Sequence, residues 1–207
     1  QAQAQAQVRV VLFGENDGDF TLAAAAVNPN WIMMATELTS KDRPQGLDPR
    51  HKWVTGIDAQ RIDADGPVAE EMRNADIVIF NFPFVAHDKP KTVELINGFL
   101  QQVRFYCKPG AEIILGLATQ KRGTRTVAYQ YAPYSAEDIV AGALFEHQRR
   151  DDKFVHLSCE KVDHNYYKQY KKYGYEHGTT YGHDKSGMWH YNDQTAFRLR
   201  VQVSSRR

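Results

Sequence analysis

The chain has few cysteines and no long apolar run. Among its 207 residues, only Cys107 and Cys159 are cysteines, and neither belongs to a CxxC pair. This scarcity argues against a zinc site or a disulfide framework and favours a reducing compartment, so we expect a cytoplasmic protein. No apolar run is long enough to cross a bilayer, so we expect no membrane partner.

The N-terminus also lacks the pattern of a secretory signal, because no positively charged region leads into an apolar one. It begins with the low-complexity stretch QAQAQAQ, residues 1–7, which we interpret as a linker or a cloning remnant. The rest, residues 8–207, has the length of a single α/β domain with a full core. Nothing in the sequence indicates the oligomeric state.

The charge of the chain is unevenly distributed. The net charge is +1, but residues 1–146 carry a net charge of −4 and residues 147–207 a net charge of +5. Residues 147–207 also contain six of the eight histidines and seven of the eleven tyrosines. This second segment, which includes an excursion at 163–194, is basic and rich in aromatic residues, which is compatible with RNA binding. The alternative is that its tyrosines and lysines cover one side of a sheet, and charge alone favours this alternative.

Strands and helices alternate along the first part of the chain. Short β-branched runs predict strands, and amphipathic or alanine-rich segments between them predict helices. This order predicts an α/β fold with a doubly wound, mostly parallel sheet, and two closing strands without a helix between them predict an antiparallel C-terminal edge. The predicted strands are 8–13, 31–36, 52–57, 76–82, 111–118, 154–162 and 195–203, and the predicted helices are 20–27, 66–74, 89–107 and 135–147.

The turn after the first strand lacks a phosphate-binding pattern. It reads GENDGDF, residues 14–20, and matches neither GxGxxG nor GxxxxGK[ST]. A helix N-terminus favours anions, but Glu15, Asp17 and Asp19 oppose a phosphate there. Dinucleotides and nucleoside triphosphates are therefore poor candidates. S-adenosylmethionine (SAM) fits better, because it has a sulfonium, an ammonium and a ribose diol but no phosphate.

Acidic residues also follow the second and third strands. Glu37 can accept from two ribose hydroxyls, and Asp58, in GIDAQ, can accept from an adenine amine. Ligands of doubly wound sheets bind at the carboxyl ends of the strands, where these acids would meet. The alternative is that they are solvated loop carboxylates or helix caps.

The fourth strand ends in IFNFPF, residues 79–84, which places an amide, a rigid turn and two aromatic rings at the same edge. It is similar to the Asn-Pro-Pro-Tyr loop of methyltransferases that act on planar nitrogens. In such a loop an amide aligns the acceptor nitrogen with the methyl group, and an aromatic ring stacks on the acceptor. The alternative is a plain exit from the strand, but an exposed Phe-Pro-Phe favours a functional loop.

These residues together resemble the Rossmann-like methyltransferases that modify a uridine ring nitrogen of ribosomal RNA. That family reads Gly-Glu-Gly-Asp-Phe-Ser after its first strand, and GENDGDFT matches if Asn16-Asp17 is an insertion. Phe84 stands where the family has a histidine. The other matching elements are Ala35-Thr36, Gly56 to Ala59, Ile79 to Phe84 and, in GYEHGTT, Gly174 to Thr180.

The resemblance implies SAM as cofactor and a ring nitrogen of an RNA base or a small heterocycle as acceptor. The alternative is a non-catalytic nucleoside- or RNA-binding module that kept the fold. Tyr175 and His177 could form a lid with the histidine as base, or a packed aromatic loop. The histidines lack the spacing of metal ligands, so we expect no metal. The predicted sites are Gly14, Glu15, Gly18, Asp19, Phe20, Glu37, Asp58, Ala59 and Asn81 for the cofactor; Asn81, Pro83 and Phe84 for catalysis; and Phe82, Phe84, His87, Tyr175 and His177 for the substrate.

Overall fold

The computed structural model describes residues 6–83, 85, 89–122, 125–128, 155–161, 168–175 and 194–203. Within these residues, helices and strands alternate as far as the fifth strand, and strands predominate after it. In chain order the elements are β1 (Val8–Phe13), α1 (Asp19–Val27), β2 (Trp31–Glu37), β3 (Lys52–Thr55), α2 (Pro67–Asn74), β4 (Ile77–Asn81), α3 (Lys89–Tyr106), β5 (Glu112–Arg122), β6 (Arg125–Ala128), β7 (Val155–Lys161), α4 (Lys168–Lys171) and β8 (Gln194–Val203).

The eight strands within the described residues form one sheet, in the order β3-β2-β1-β4-β5-β8-β7, with β6 paired to β5. The pairs from β3 to β5 are parallel. The chain therefore moves outward from β1 to β3 and then crosses back to β4 on the other side of β1. This confirms the predicted doubly wound parallel sheet, and it makes the gap between β1 and β4 the topological switch point.

Alternation along β1 distributes its side chains between two cores. Val11 and Phe13 pack with α2 and α3 on one face of the sheet. Val10 and Leu12 pack on the other face with residues of α1 and α4. Both faces of this central strand are buried, which is why its sequence is apolar almost throughout rather than alternating between polar and apolar.

The connection between β2 and β3 is irregular, in agreement with its two prolines and one glycine. Arg43 organises it by donating to the backbone oxygens of Leu47, Asp48 and His51 at 2.8 to 3.1 Å. One guanidinium thus satisfies three carbonyl groups that a crossover helix would otherwise pair internally.

The C-terminal strands pair antiparallel. β8 lies between β5 and β7 and runs antiparallel to both. β5 extends beyond the predicted end at residue 118 as far as Arg122, and β6 folds back on it with Thr119 opposite Ala128. The sequence analysis missed this extension because the segment from Thr119 to Arg122 is polar and carries no apolar alternation.

Several predictions fall partly or wholly on residues outside the described ranges. The predicted helix at 135–147 lies entirely outside them. Of the excursion at 163–194, the described parts are residues 168–175, which contain α4, and Gln194 at the start of β8. No helix in the described part of the chain is long and apolar enough to cross a membrane.

Candidate cofactor and acceptor site

The predicted site residues from the first four strands meet at one edge of the sheet. Phe13, at the end of β1, pairs with Thr36 of β2 on one side and Phe80 of β4 on the other. Gly14 and Asn81 consequently leave neighbouring strands side by side. Glu37 ends β2, and the N–H of Ile57 donates to its backbone oxygen at 3.0 Å, which brings the loop containing Asp58 to the same edge.

The turn from β1 into α1 depends on two glycines with positive φ. Gly14 has φ +66°, and a Cβ there would lie 2.8 Å from the ring of Phe80. Gly18, at the N-cap of α1, has φ +79°, and a Cβ there would overlap the ring of Pro44. Side chains at either position would be strained and would collide with neighbours, so these glycines let the turn lie close against the sheet and the β2–β3 connection.

Glu15 acts as a cap for α1. Its carboxylate accepts from the Thr21 hydroxyl at 2.5 Å and also from the Thr21 backbone N–H. Glu15 is buried, and this burial, only partly offset by the two bonds from Thr21, raises its pKa from 4.5 to about 7. The nearby Glu37 and Asp19 raise the pKa of Glu15 further. The helix-cap alternative from the sequence therefore describes the bonds that Glu15 makes.

Glu37 fixes Asn16, the first residue of the predicted insertion in the turn. Its Oε2 accepts from the backbone N–H of Asn16 at 2.7 Å, and its Oε1 accepts from the N–H and hydroxyl of Thr39 at 3.2 and 3.1 Å. Asn16 has φ +48°, a conformation that asparagine tolerates better than most residues. A carboxylate offers about four acceptor positions, so three of them are used and about one remains on Oε2.

Asp17, the second residue of the predicted insertion, does not join the carboxylates of the crevice. Its side chain is 64% exposed and pairs with the Lys41 ammonium at 2.8 Å. The backbone oxygen of Lys41 in turn accepts a hydrogen bond from the indole N–H of Trp53 at 3.0 Å. Asp17 thus ties the turn to the β2–β3 connection. Of the three acidic residues of the turn, Glu15, Asp17 and Asp19, Asp17 is neutralised at the surface.

Asp58 lies in a tight turn of its own. Its Oδ1 accepts from the N–H of Gln60 at 2.9 Å, and its backbone oxygen accepts from the N–H of Arg61 at 3.0 Å. Asp58 is partly buried, and no hydrogen bond reaches its Oδ2 from the described part of the chain. One oxygen of Asp58 can therefore accept from a ligand.

Helix α3 holds this turn in place, which the sequence analysis did not predict. Gly98 faces Gln60, and a Cβ on Gly98 would lie 2.8 Å from Gln60 Cγ and 3.0 Å from Gln60 Cβ. One helical turn further on, Gln102 accepts from the N–H of Ile62 at 3.1 Å, and the Tyr106 hydroxyl donates to the oxygen of Ile62 at 3.2 Å. The only sequence signal was a glycine inside an otherwise regular amphipathic helix, at a cost of about 1 kcal/mol relative to alanine.

The loop that begins at Phe82, which the sequence predicts to contact the acceptor and which we call the acceptor loop, begins with a strained residue. Asn81 ends β4 and is buried, and Phe82 follows it with φ +54°, in the left-handed region. The N–H of Phe82 donates to the oxygen of Gly116 in β5 at 2.9 Å, which holds this conformation. A phenylalanine in this region costs roughly 1–3 kcal/mol, and such strain is concentrated at functional sites. Pro83 is buried, whereas Phe84 and His87 lie outside the described residues.

Three of the predicted side chains pack into the protein instead of lining the crevice. The ring of Phe20 contacts Tyr170 and Tyr175 at centroid distances of 4.8 and 5.3 Å, and all three residues are buried. Ala59 is buried in the core on the α3 face. For Tyr175 the packed-loop alternative is therefore the better description, and for Phe20 and Ala59 only backbone contacts with a cofactor remain. His177 lies outside the described residues.

An exposed apolar residue, which the sequence did not single out, lies at the same edge of the sheet. Leu38 directly follows Glu37 and is 61% exposed, one of the few large apolar side chains with such exposure among the described residues. The sequence signal that could have identified Leu38 was its position directly after Glu37, the predicted cofactor-binding acid. No group of three or more metal-ligating side chains occurs within the described ranges.

Comparison with protein families gives one match that spans most of the chain. A family model called BMT5-like, described as rRNA (uridine-N3-)-methyltransferase BTM5-like, matches residues 12–174. This range begins inside β1 and includes the turn, the three strand-end acids and the acceptor loop. Comparison with curated protein sequences finds no match.

Solved structures share the fold at low sequence identity. The 16S rRNA (adenine(1408)-N(1))-methyltransferase from Catenulisporales acidiphilia has a TM-score of 0.56 and 15% identity, covering 98% of this chain and 90% of its own. The aminoglycoside resistance methyltransferase NpmB1 has a TM-score of 0.57 and 15% identity, covering 96% and 89%. The glycopeptide N-methyltransferase MtfA, complexed with sinefungin, has a TM-score of 0.51 and 11% identity, covering 96% and 88%.

Proposed function

The chain belongs to the BMT5-like rRNA (uridine-N3-)-methyltransferase family, and we propose that its carboxyl-edge crevice transfers a methyl group from SAM to a ring nitrogen of an RNA base. Membership makes it a SAM-dependent N-methyltransferase. The residues that perform the reaction, and a uridine-like base as acceptor, are our proposal. The strongest support is that Glu37 ends β2, Asp58 follows β3 and Asn81 ends β4, so that all three lie at the carboxyl edge of the sheet, on the two sides of the switch point.

The nucleoside part of SAM fits the side of the crevice near β2 and β3. Glu37 has about one acceptor position left for a ribose hydroxyl. Asp58 Oδ2 can accept from the exocyclic amine of adenine, while Oδ1 stays bound to Gln60. Leu38 offers an exposed apolar side chain for the flat face of the base. These groups accept hydrogen bonds or provide apolar contact, and none of them would bind a phosphate.

The amino-acid part of SAM fits the turn between β1 and α1. Glu15 and Asp19 supply negative charge near the backbone of Gly14 and Gly18, which suits an ammonium and a sulfonium. Burial without a cation keeps Glu15 partly protonated near neutral pH, so a bound cation would favour its charged form. SAM, when bound, supplies an electrophilic methyl group.

The acceptor loop orients the base. The Asn81 amide can both donate and accept, so it can pair with a ring N–H and its neighbouring carbonyl. The left-handed conformation of Phe82 turns the chain sharply after Asn81, and the Gly116 bond fixes this turn. We propose that Phe82, Pro83 and Phe84 enclose the flat base, with His87 and His177 as further acceptor contacts. Alignment of this kind can supply a large share of a methyl transfer rate.

The test combines donor binding with methyl transfer. We expect S-adenosylhomocysteine to bind in calorimetry and NAD and ATP to show no heat of binding, because the turn carries carboxylates and no phosphate-binding pattern. With radiolabelled SAM, we expect label to enter a uridine-containing RNA. Tight binding of ATP or NAD without binding of S-adenosylhomocysteine would contradict the donor assignment.

The same experiment separates the remaining alternatives. Label in free uracil or uridine, with none in RNA, would indicate a small heterocyclic acceptor. Donor binding without label in any acceptor would indicate a binding module. RNA is the acceptor that we favour, because the family that matches the chain is named for methylation of ribosomal RNA.

A further inference from the structure

The short helix α4 and the turn after it carry a cluster of exposed basic side chains. Lys168, Lys171 and Lys172 are exposed, and Tyr173 is 45% exposed with the Lys172 ammonium 5.1 Å from its ring centroid. Residues 168–175 contain no acidic residue. We name Lys168, Lys171, Lys172 and Tyr173 the basic α4 surface.

Two tyrosines anchor this surface to the body of the protein. Tyr170 and Tyr175 are buried, and both rings pack edge-on against Phe20 at the start of α1. Tyr170 and Tyr175 therefore pack toward the sheet, as one alternative from the sequence held for the tyrosines, while Tyr173 and the lysines remain at the surface. In residues 168–175, the prediction of a sheet-covering role therefore applies to the two buried tyrosines, and the exposed lysines are compatible with RNA binding.

The anchoring places the basic α4 surface beside the proposed active site. Phe20 lies in the first turn of α1, directly after the turn that we assign to SAM. Phe82, the strained residue of the acceptor loop, packs against the same apolar cluster as Phe20, Tyr170 and Tyr175. One apolar cluster on this face of the sheet thus includes residues of α1, of the acceptor loop and of the segment that carries the basic α4 surface.

Positive charge dominates the neighbouring elements α1 and α4. Asp19 is the only acidic residue of α1, whose other residues are apolar or threonine. Asp17, in the preceding turn, already pairs with Lys41. Lys168 and Lys172 are therefore exposed cations beside a helix that carries a single carboxylate, a charge balance that attracts a polyanion.

We propose that the basic α4 surface binds the phosphodiester backbone of the substrate RNA and so delivers the target base to the acceptor loop. This inference rests on the proposed function, because it takes RNA as the acceptor. Phosphate contacts of this kind position a nucleic acid without reading its sequence, whereas the acceptor loop would read the base. Tyr173 adds an aromatic face at the same surface, where a base can stack.

The test replaces two lysines and measures RNA affinity as a function of salt. In Lys168→Gln/Lys172→Gln, we expect the affinity for oligouridylate and for oligoadenylate of equal length to fall by on the order of tenfold at about 0.1 M salt. We expect the slope of log affinity against log salt to decrease in magnitude by about two, since two phosphate contacts are lost. Equal losses for both RNAs would distinguish backbone contacts from base recognition.

A matched control removes the same charge elsewhere. Lys52 and Lys108 lie at the opposite, amino-terminal edge of the sheet, where Lys52 starts β3 and Lys108 precedes β5. We expect Lys52→Gln/Lys108→Gln to leave the salt slope unchanged. Thermal melting of both variants checks that they are folded, and S-adenosylhomocysteine affinity should match that of the unsubstituted protein in both.

The outcomes separate this inference from the proposed function. If the unsubstituted protein methylates RNA and the variant in the basic α4 surface binds RNA as tightly as the Lys52→Gln/Lys108→Gln control does, the basic α4 surface is not the docking surface. If the unsubstituted protein binds neither S-adenosylhomocysteine nor RNA, the proposed function itself fails. Binding of polyglutamate at the basic α4 surface, without binding of either RNA, would overturn the inference in favour of an acidic protein partner.

Discussion

The carboxylate of Glu15 accepts a hydrogen bond from the hydroxyl of Thr21 at 2.5 Å, and both side chains are buried. The same carboxylate caps the first turn of α1 and lies in the turn assigned to SAM. A single residue thus stabilises the helix and sets the charge of the proposed cofactor site. The raised pKa of Glu15 makes this dual role measurable.

We expect Glu15 to make folding less favourable as pH rises. Its pKa is 4.5 in a reference state and about 7 in the fold, so between these values the folded chain binds more protons than the unfolded chain. Stability is therefore lost as pH rises from 4.5 through 7, by up to about 3 kcal/mol. In urea unfolding, Glu15→Gln should gain stability relative to the parent protein between pH 5 and pH 8. Glu70→Gln, an exposed acid of α2, should not. The same offset at both pH values would contradict this prediction.

Donor binding should release a proton from Glu15. A bound ammonium or sulfonium would favour the carboxylate, so the pKa of Glu15 should fall on binding and the donor should bind more tightly as pH rises. Calorimetry near pH 6.5, in two buffers of different ionisation enthalpy, measures the released proton. We use S-adenosylhomocysteine for its ammonium. Glu15→Gln should show no buffer dependence, and buffer-independent heats in the parent protein would refute the assignment.

Loss of the Asp58 carboxylate should weaken donor binding. Asp58→Ala removes one acceptor of the proposed adenine contact, for an expected cost of roughly 1–3 kcal/mol in binding. Asp63 is the matched control, because its Oδ1 also accepts from the N–H two residues later, at 3.2 Å. Asp63→Ala should remove a similar turn bond without changing donor affinity. Equal effects of the two substitutions would mean that Asp58 acts only on the turn.

Gly98→Ala should disturb the site despite favouring the helix. Alanine is better than glycine in a helix by about 1 kcal/mol, but its Cβ would lie within 3.0 Å of both Gln60 Cγ and Gln60 Cβ. The N–H of Gln60 binds Asp58, so we expect a measurable loss of donor affinity. Gly98→Ala/Gln60→Gly should recover much of it, because the colliding side chain is removed. Unchanged donor affinity in Gly98→Ala would show that the turn tolerates displacement.

Asn81→Ala should lower turnover much more than donor affinity. The amide is proposed to align the acceptor ring, and misalignment can reduce a rate by on the order of a hundredfold. Single-turnover methylation of RNA and calorimetry with S-adenosylhomocysteine on the same variant separate the two effects. A normal rate in Asn81→Ala would remove the acceptor loop from the mechanism and leave the cofactor assignment intact.

The elements that position the site were predictable because their signals are local. The apolar run of β1, the Asn-Pro stop after α1 and the apolar face of α3 each depend on residues close in sequence. Parallel strands joined by helices then require their carboxyl ends to share an edge. For this reason the sequence alone predicts that Glu37, Asp58 and Asn81 lie in one crevice.

Only the tertiary structure determined what those residues contact. Glu37 binds Asn16, 21 residues away, and Ile62 binds Gln102, 40 residues away. Composition could not separate the tyrosines of residues 168–175 that pack on Phe20 from the lysines that stay at the surface. Sequence patterns report which side of an element is apolar, whereas a partner is chosen by three-dimensional proximity after the sheet has formed. The sequence therefore determined which residues lie at the strand ends, and the tertiary structure determined which hydrogen-bond partners each carboxylate has.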